Sequence, residues 1–390
     1  MKKLLINHFI SLSIKGFAVV GSFLLAKVYI DKISTEEFGL FTLNYGYVVL
    51  FATFIGTGPG LLVIARIKAE KSSNPFLFFL INSIITIVLW FVVRLFFQFN
   101  IYLLYTIIIT GLCYYINETM RLNSSGNVYI LQKDIIRTIA CVVLIFLNIK
   151  SADDILFYSS IINFFSIIAY GIAFKKEMKV SFNSTYISKN DYMDSLSISI
   201  SSGLQIVRGW IEVYLSGIFL SLKEVGLFSV LQKLAKLISL PINALNADIA
   251  KKVAVSIQEE KIDNKLKHQL LLMRITSIIF SLVCFISLGY FLKIYNYDSS
   301  ILNIIVGGVL ILTNLANALF GPVGLFTQLS KLHHFFLIST ILSIIITAIL
   351  SWIFLPLYGI LALSIINLIT MVLWNGSLYF KIMKATNIKL

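Results

Sequence analysis

Charged residues are scarce in this sequence, and their scarcity excludes a soluble protein of this size. Only 13% of the 390 residues are charged, 58% are hydrophobic, and the mean hydropathy is +0.91. A soluble domain of this composition would expose a largely apolar surface to water. Apolar runs of about 17–25 residues recur along the chain, the length that crosses a bilayer as an α-helix. The sequence therefore predicts an all-α, polytopic membrane protein.

Cysteine and histidine are few and scattered. The three cysteines lie in apolar runs, and the four histidines fall at predicted ends of spans and form no cluster with carboxylates. Neither set has the spacing of a zinc site or of a disulfide framework. The sequence also lacks the glycine-rich phosphate loop of ATP-hydrolysing proteins, and the predicted outside loops are too short for a catalytic domain. We therefore expect a protein that is not an enzyme and that holds no metal or other cofactor.

Acidic residues are outnumbered by basic ones, 18 against 32, which gives a formal net charge of +14. In a soluble protein this charge would indicate nucleic-acid binding. The sequence has no base-reading motif and no basic arm, so we expect no nucleic acid as a partner. Membrane proteins concentrate Lys and Arg in their cytoplasmic loops, and this rule explains most of the excess.

The apolar runs predict twelve membrane spans. GTGPG at residues 56–60 is expected to break the second span, and Pro241 is expected to kink the eighth. In chain order the spans are 9–30, 38–65, 75–97, 101–118, 128–149, 155–174, 195–220, 225–250, 269–291, 301–320, 334–355 and 358–382.

Loop charge predicts the orientation of these spans. We count basic residues toward the end of a span with the adjoining loop. If the N-terminus is cytoplasmic, 22 of the 32 basic residues then fall on the inside, five fall on the outside, and five stay within spans. This asymmetry predicts that both termini are cytoplasmic. The outside residues are Lys32, Arg94, Lys150, Lys223 and Lys293, and those within spans are Lys15, Lys27, Arg208, Lys233 and Lys236.

A short segment recurs at the same point of each half of the chain. ISTEEFGLF at residues 33–41 matches LSLKEVGLF at residues 220–228, an offset of 187, and GNVYILQK at 126–133 matches GLFTQLSK at 324–331, an offset of 198. Six spans separate the members of each pair, so the halves share one orientation and are expected to form parallel repeats. We predict an N-terminal six-helix bundle at 1–180, a C-terminal six-helix bundle at 181–390, and a site between them.

The seventh span carries a stripe of polar residues. Helical steps of three or four residues place six of them on one face: Ser197, Ser201, Gln205, Arg208, Glu212 and Ser216. A full charge near mid-membrane costs at least ~2.5–3.5 kcal/mol, so Arg208 and Glu212 must face protein or water. They could pair across one helical turn and hold helices together, or they could line an aqueous, charge-selective cavity.

The eighth span carries a similar stripe, made of Ser229, Gln232, Lys236, Ser239, Asn243 and Asn246. Lys233 lies beside Lys236, and residue counting places Lys236 at about the depth of Arg208, ~17 Å from the outer surface. Lys15 and Lys27 add two cations in the first span, although either could instead extend to the membrane surface. In the tenth span we expect helix–helix hydrogen bonds from Asn303, Asn314 and Asn317.

The balance of charge within the spans indicates an anionic substrate. With residues toward span ends again assigned to the adjoining loops, five cations and a single anion, Glu212, lie within the spans. A cation exporter driven by protons or sodium would need buried carboxylates, whereas Arg and Lys are natural partners of phosphate. The predicted substrate site consists of Arg208, Glu212, Lys233, Lys236, Lys15, Lys27, Gln205, Gln232 and Asn243.

Several stretches resemble bacterial O-antigen and capsular polysaccharide repeat-unit flippases. These form the polysaccharide transporter family of the multidrug/oligosaccharidyl-lipid/polysaccharide flippase superfamily. The similar features are S-x-x-E-x-G-L-F opening the second span, G-x-G-P-G-L-x-x-x-A-R ending it, L-x-x-K-E-V-G-L-F-S-V-x-Q-K opening the eighth, and the acidic Glu212. The resemblance covers the whole chain, in twelve spans and two parallel halves.

This resemblance implies a V-shaped fold with a cationic cavity lined chiefly by spans one, two, seven and eight. It implies that undecaprenyl-pyrophosphate-linked oligosaccharide moves from the cytoplasmic to the outer leaflet of the bacterial inner membrane by alternating access. Membrane lipid is then a partner, and the glycan polymerase, the chain-length machinery and a coupling ion are possible ones. Two alternatives stay open: a drug or metabolite exporter of the same superfamily, and a membrane enzyme of glycan assembly such as a polymerase.

Overall fold

The computed structural model describes residues 16, 19–65, 75–94, 100–120, 147, 149–173, 189–242, 253, 263–329 and 332–386. Nearly all of these residues are helical, and none of them forms a β-strand. Five of the described helices are long and apolar enough to cross a membrane. A helix satisfies its backbone polar groups internally, which is what a segment surrounded by lipid requires. The prediction of an all-α membrane protein is therefore confirmed.

The described helices are labelled in chain order. α1 covers residues 19–32, and it is followed by α2 (Thr35–Ala65), α3 (Pro75–Arg94), α4 (Ile101–Met120), α5 (Ala152–Ala173), α6 (Lys189–Phe219), α7 (Leu222–Lys236), α8 (Asn264–Ile294), α9 (Ile301–Phe320), α10 (Val323–Leu329) and α11 (His333–Thr386). α11 comprises two helical segments, which correspond to the last two predicted spans and are separated by a kink at Gly359, whose φ of +57° and ψ of −142° are not helical. Most of the fifth predicted span lies outside the described residues.

The predicted break in the second span is wrong. α2 stays helical through residues 56–60, with Pro59 inside it. The glycines of this stretch allow close helix contacts instead, since a Cβ on Gly56 would overlap the Gly111 carbonyl oxygen of α4. A Cβ on Gly58 would likewise overlap Ser199 Oγ of α6. Glycine stands at these two positions because a larger side chain would collide with a neighbouring helix, and not because the chain turns there.

Side chains from neighbouring helices support α2 near its proline. The Phe54 carbonyl accepts a hydrogen bond from Asn82 Nδ2 of α3 at 3.1 Å and another from Ser199 Oγ of α6 at 3.0 Å. Asn82 is fully buried, and Tyr192 donates its hydroxyl to Asn82 Oδ1 at 3.3 Å. Proline weakens a helix by removing one backbone donor, and these polar contacts hold the surrounding turn in place.

α7 changes geometry shortly before Pro241, where a kink is predicted. The chain is α-helical to Lys236, tightens into a 3-10 turn over Leu237–Ser239, and is helical again over 240–242. A proline cannot donate to the carbonyl four residues earlier, and its ring crowds that carbonyl. For Pro241 this carbonyl is that of Leu237, so the departure from α geometry begins where the proline requires it.

The chain divides into two compact units. The first unit comprises Met1–Ile30, Ser34–Gly39 and Ile211–Leu390, and the second comprises Asp31–Ile33 and Leu40–Trp210. The second unit is built around an apolar core from α2 to α5: Val48, Ile55, Phe79, Trp90, Leu103, Leu104, Ile107, Tyr115, Ile116 and Leu156. The predicted bundles at 1–180 and 181–390 stay a prediction.

Large apolar side chains point outward from the helices of the first unit. Ile286 of α8 is 83% exposed, Ile301 of α9 is 79% exposed, and Phe380 of α11 is 71% exposed. Exposure of one large apolar side chain to water, relative to its burial, costs ~1.5–3 kcal/mol. Because many such side chains point outward, the folded protein would be unstable in water. Lipid chains remove this penalty.

Candidate functional site

The start of α7 is fixed by a capping box. Ser221 Oγ accepts a hydrogen bond from the Glu224 backbone N–H at 3.3 Å, and the Ser221 N–H donates to Glu224 Oε2 at 3.0 Å. These two bonds satisfy donors that a helix start otherwise leaves unpaired. The helix then runs through a buried segment, from Val225 onward. α7 therefore holds its two lysines on a rigid, packed element.

Lys236 meets two other predicted site residues. Its Nζ donates to Gln232 Oε1 at 3.0 Å, and the Glu212 carboxylate attracts it electrostatically. Glu212 itself is only 5% exposed. A carboxylate in an apolar interior is stable only with charged or hydrogen-bonding partners nearby. The structure thus brings Glu212, Gln232 and Lys236 into one cluster.

The Lys236 side chain is exposed, whereas α7 is largely buried from Val225 to Ala235. Lys236 therefore stands at the end of the packed part of α7, where its ammonium is accessible to a ligand.

Lys233, one helical turn before Lys236, has an aromatic contact. Its Nζ lies over the ring of Phe38 at 5.1 Å from the ring centroid. Phe38 is fully buried at the start of α2. The ring face attracts a cation, and a desolvated pair of this kind contributes up to about 2 kcal/mol. Sequence reasoning missed Phe38, because an apolar residue gives no polar signal of its own.

Two predicted residues of α6 lie in the second unit. Arg208 is half-buried and Gln205 is exposed. Glu212 follows Arg208 by four residues on the same helix, which is the spacing of neighbours on a helix surface, but it belongs to the first unit. The roles of Arg208 and Gln205 in substrate binding stay a prediction.

Lys27 lies in the second half of α1, which continues to residue 32. Its Nζ donates to Asn296 Oδ1 at 3.5 Å, in the loop between α8 and α9. The predicted roles of Lys27, in the substrate site or at the membrane surface, stay a prediction. Asn296 has a φ of +59°, a conformation that asparagine tolerates better than most residues. Lys15 and Asn243 lie outside the described residues, and their predicted roles stay untested.

Of the three α9 asparagines that were predicted to bond to other helices, two do so. Asn314 Oδ1 accepts a hydrogen bond from Ser239 Oγ at 3.2 Å, and Asn317 Oδ1 accepts one from Asn375 Nδ2 at 3.0 Å. Asn303 instead donates to the Asp298 carbonyl in the preceding loop at 2.8 Å. Its prediction was wrong because it lies in the first turn of α9, where side chains bond locally. In the described part of the chain, no cluster of three or more His, Cys, Asp or Glu could hold a metal ion.

Comparison with known proteins gives matches among solved structures. No protein-family model matches the sequence, and no curated protein matches it. An inward-facing multidrug resistance MATE family transporter of the MOP superfamily aligns with a TM-score of 0.65 and 16% identity, over 97% of this chain and 99% of that chain. Lipid II flippase MurJ, in an inward closed conformation, aligns with a TM-score of 0.65 and 16% identity, over 96% of this chain and 87% of that chain.

A third match comes from Pyrococcus furiosus. It is a MOP superfamily transporter described as having a binding pocket of reverse polarity that suggests a different function, and it aligns with a TM-score of 0.64 and 14% identity, over 98% of this chain and 95% of that chain. All three are transporters or flippases rather than enzymes. The chain has the fold of MOP superfamily transporters, which confirms the resemblance at the level of the superfamily fold and of a multi-pass membrane protein.

Proposed function

We propose that this protein is a lipid flippase for undecaprenyl-pyrophosphate-linked oligosaccharide repeat units of the O-antigen or capsule type. It moves them from the cytoplasmic to the outer leaflet of the bacterial inner membrane by alternating access, and both of its termini are cytoplasmic. The observation that carries this proposal is the lysine pair of α7: two cations one turn apart on a helix apolar enough to span a membrane, with the Lys236 side chain exposed.

The chemistry of the cluster suits a diphosphate. Lys233 and Lys236 are three residues apart, so their side chains leave the same side of the helix and can bind adjacent phosphate groups. Gln232 and Glu212 hold Lys236 until substrate arrives. Because an ammonium binds phosphate as a point charge, the substrate can replace these partners without strict geometry. Arg208 adds a guanidinium that can bind phosphate through two parallel hydrogen bonds.

Polar side chains without charge fit the sugars. Gln205 is exposed on α6, and it and Gln232 offer both donors and acceptors to hydroxyl groups. The polyprenyl chain stays in lipid, because moving its apolar surface into an aqueous cavity is unfavourable. The glycan polymerase and the chain-length machinery would act on the substrate after transport. Glu212 either restrains Arg208 between states or couples the cycle to an ion.

The neighbours support the class of activity. One is described as a lipid II flippase, so this fold can move a lipid-linked substrate. Another is described as a multidrug transporter, which keeps a drug or metabolite exporter as the second candidate. A third ties reversed pocket polarity to a different function. The sign of the charge in the pocket is therefore the property that separates the two candidates, and the α7 lysines favour an anion.

Depletion of the protein in its native host tests the proposal. Surface glycan is stained, and lipid-linked oligosaccharides are extracted and analysed. Loss of surface glycan together with accumulation of complete lipid-linked repeat units is expected, because synthesis continues while transport stops. Intact surface glycan with altered drug sensitivity would overturn the flippase and support the exporter. Loss of glycan with incomplete repeat units would instead indicate an enzyme of glycan assembly.

Substitutions then test which of the basic residues are needed for transport. Arg208→Ala and Lys236→Ala are expected to reduce surface glycan at least tenfold while the protein stays at its normal level in the membrane. Lys223→Ala is the matched control, since Lys223 is exposed in the first turn of α7 and its loss removes the same charge. Arg208→Lys keeps the charge but loses the bidentate geometry, so partial activity would show how much of the effect is charge alone.

A further inference from the structure

α8 has one buried face and one exposed face. The buried face consists of Leu266, Leu270, Met273, Ser277, Ser281, Cys284, Leu288 and Leu292, which follow one another at steps of three or four residues. The same steps relate a row on the exposed face, made of Lys267, Leu271, Arg274, Ile278, Leu282 and Phe285. Arg274 is half-buried and the other five side chains are exposed. We call this row the α8 stripe.

The α8 stripe changes its chemistry along the helix. Its first part carries two cations, Lys267 and Arg274, with Leu271 between them. Its second part, from Ile278 to Phe285, is apolar. In the predicted orientation the cationic part lies near the cytoplasmic surface of the membrane, and the apolar part faces the hydrocarbon of the same leaflet. The stripe is therefore complementary to a molecule with a negative head and an apolar chain.

The length of the apolar part matches one leaflet. Phe285 follows Arg274 by eleven residues, which is ~16 Å along the helix axis at 1.5 Å per residue. Half of the hydrocarbon core of a bilayer is ~15 Å thick. An acyl chain that begins at the level of Arg274 would therefore reach the level of Phe285 near the middle of the membrane.

The neighbouring helix holds Arg274 in place. Its Nε donates to the Leu319 carbonyl in the last turn of α9 at 3.0 Å. The last carbonyls of a helix have no partner within the helix, and a cation beside them is favourable. Gly321, which follows α9, has a φ of +79°, and a Cβ on it would lie 3.8 Å from Arg274 Nη2. The guanidinium thus lies against the end of α9 and cannot move freely.

This anchoring suits Arg274 to a phosphate. A guanidinium has five N–H donors in one plane, and the bond to Leu319 uses the Nε donor. The two terminal nitrogens can bind two oxygens of one phosphate. Lys267 lies two turns nearer the start of the helix, ~10.5 Å away along the axis. It places a second cation on the same face, at the level of the rest of a lipid headgroup.

The surrounding charge favours an anionic lipid over a zwitterionic one. Residues 263–274 contain three Lys or Arg residues and His268 against one acid, Asp263. α11 ends beside α9, where Tyr379 contacts Phe320 with ring centroids 6.1 Å apart, and residues 379–386 contain two lysines and no acid. Basic clusters of this kind at the cytoplasmic surface attract anionic headgroups. A zwitterionic headgroup would bring its own ammonium next to these cations.

We propose that the α8 stripe binds one anionic phospholipid of the cytoplasmic leaflet. Its phosphate lies on Arg274 and Lys267, and one acyl chain follows Ile278, Leu282 and Phe285. This lipid stays on the lipid-facing side of α8 and is not transported. The site goes beyond the proposed function, because it depends neither on the substrate that is carried nor on the lysines of α7.

Native mass spectrometry of the purified protein measures this binding. The protein in detergent is titrated with phosphatidylglycerol and, separately, with phosphatidylethanolamine that has the same acyl chains. The first phosphatidylglycerol should bind at least fivefold more tightly than phosphatidylethanolamine, and equal affinities would overturn the proposal. Excess inorganic phosphate at constant ionic strength should leave the lipid bound. Displacement by phosphate would overturn the lipid site and indicate a site for free phosphate.

Two lysines of α8 provide a matched pair of variants. Lys267→Ala is expected to weaken phosphatidylglycerol binding at least fivefold. Lys265→Ala should weaken it less than twofold, because Lys265 is exposed and has the same charge but lies about 200° around the helix from Lys267. Equal losses in the two variants would indicate attraction by overall charge and would overturn the site. Arg274→Ala should cause the largest loss, and if that variant does not fold, Lys267→Ala decides alone.

A photoreactive lipid locates the acyl chain. Phosphatidylglycerol with a diazirine in one acyl chain is added to the full-length protein, which is illuminated and then cleaved with trypsin. The label is expected on the tryptic peptide 275–293, which contains the apolar part of the α8 stripe. It should fall at least fivefold in Lys267→Ala and persist in Lys265→Ala. Label spread evenly over the membrane peptides, or unchanged in Lys267→Ala, would overturn the proposal.

Discussion

α2 and α7 begin in the same way and continue differently. Both have a serine cap, and both have a glycine, Gly39 or Gly226, that lies against the carbonyl of the first residue of the other helix. At the offset of 187, however, Gly46 and Val49 of α2 take the places of Lys233 and Lys236 of α7. α2 also passes into the second unit at Leu40, whereas α7 lies wholly within the first. The two repeated segments thus keep the same serine and glycine, whereas the two lysines of α7 have no counterpart in α2.

The largest effect is expected from making α2 resemble α7 at the lysine position. Val49 is 8% exposed in the second unit, so Val49→Lys buries an ammonium where the wild-type helix has an apolar side chain. A buried charge without a partner costs several kcal/mol, about 3–5 when a pair is broken. We expect little folded protein in detergent, measured by size-exclusion chromatography and thermal unfolding.

Val49→Leu is the control for the change of size at this position, and it should cost about 1–3 kcal/mol because it adds one methylene to a buried site. If Val49→Lys folded as well as Val49→Leu, position 49 would have access to water or to a counter-charge. The two helices would then be more alike than their sequences indicate.

A smaller and symmetrical effect is expected at the helix starts. Ser34→Ala and Ser221→Ala each remove a cap that accepts a backbone N–H, and each should lower stability by about 1 kcal/mol. Because the two caps occupy equivalent positions, the losses should be similar in thermal or denaturant unfolding. Aspartate at either position keeps a cap acceptor and should restore most of the loss. If one serine substitution lowered stability strongly and the other did not, only one of the two helix starts would contribute to the stability of the protein.

The smallest effect is expected at Tyr297, which touches α7 and has no counterpart on α2 in the described residues. Burial, and secondarily the charge of Glu36, raises the pKa of Tyr297 above its usual value of 10.0. Above pH 10 the unfolded chain loses this proton while the folded protein keeps it, so this contribution to stability is complete below pH 10 and falls as pH rises further. Tyr297→Phe should therefore flatten the alkaline decrease of the unfolding temperature.

Tyr297→Phe should also stabilise the protein slightly at neutral pH. The hydroxyl is buried and has no hydrogen-bond partner in the described structure, so its removal avoids the free-energy cost of a buried, unpaired polar group. Burial also raises the pKa of Tyr295, but its hydroxyl is hydrogen-bonded, so Tyr295→Phe should destabilise at neutral pH. We expect the free energy of unfolding at neutral pH to rise in Tyr297→Phe and to fall in Tyr295→Phe. A change in the same direction in both variants would contradict this account of the loop.

Sequence patterns predicted the spans well and individual contacts poorly. Hydrophobic run length fixed α9 to the residue, because lipid imposes a sharp requirement on length and polarity. The break at residues 56–60 was wrong because glycine and proline have two uses: they end helices in water, but within a packed bundle they admit a neighbouring backbone. Only the atoms of Gly111 and Ser199 distinguish the two uses.

The candidate site shows the same limit. Helical spacing placed Gln232 and Lys236 on one face of α7, and the structure joins them by a hydrogen bond. The spacing could not show that Lys233 lies over Phe38, since the two residues are far apart in sequence. Nor could it show that Lys27 meets Asn296, because that contact depends on how a distant loop folds.

The single-residue break at Gly359 bears on how the protein is made. It joins two apolar segments into one stretch, His334–Lys384, of 51 residues with a mean hydropathy of 2.4. No hydrophilic loop separates the segments, and Leu357 and Tyr358 beside the break are exposed. The insertion machinery therefore receives both segments as one hairpin, and neither can enter the bilayer with an orientation independent of the other. Because this glycine has a positive φ, a substitution there would strain the bend of the hairpin and so disturb the last step of membrane insertion.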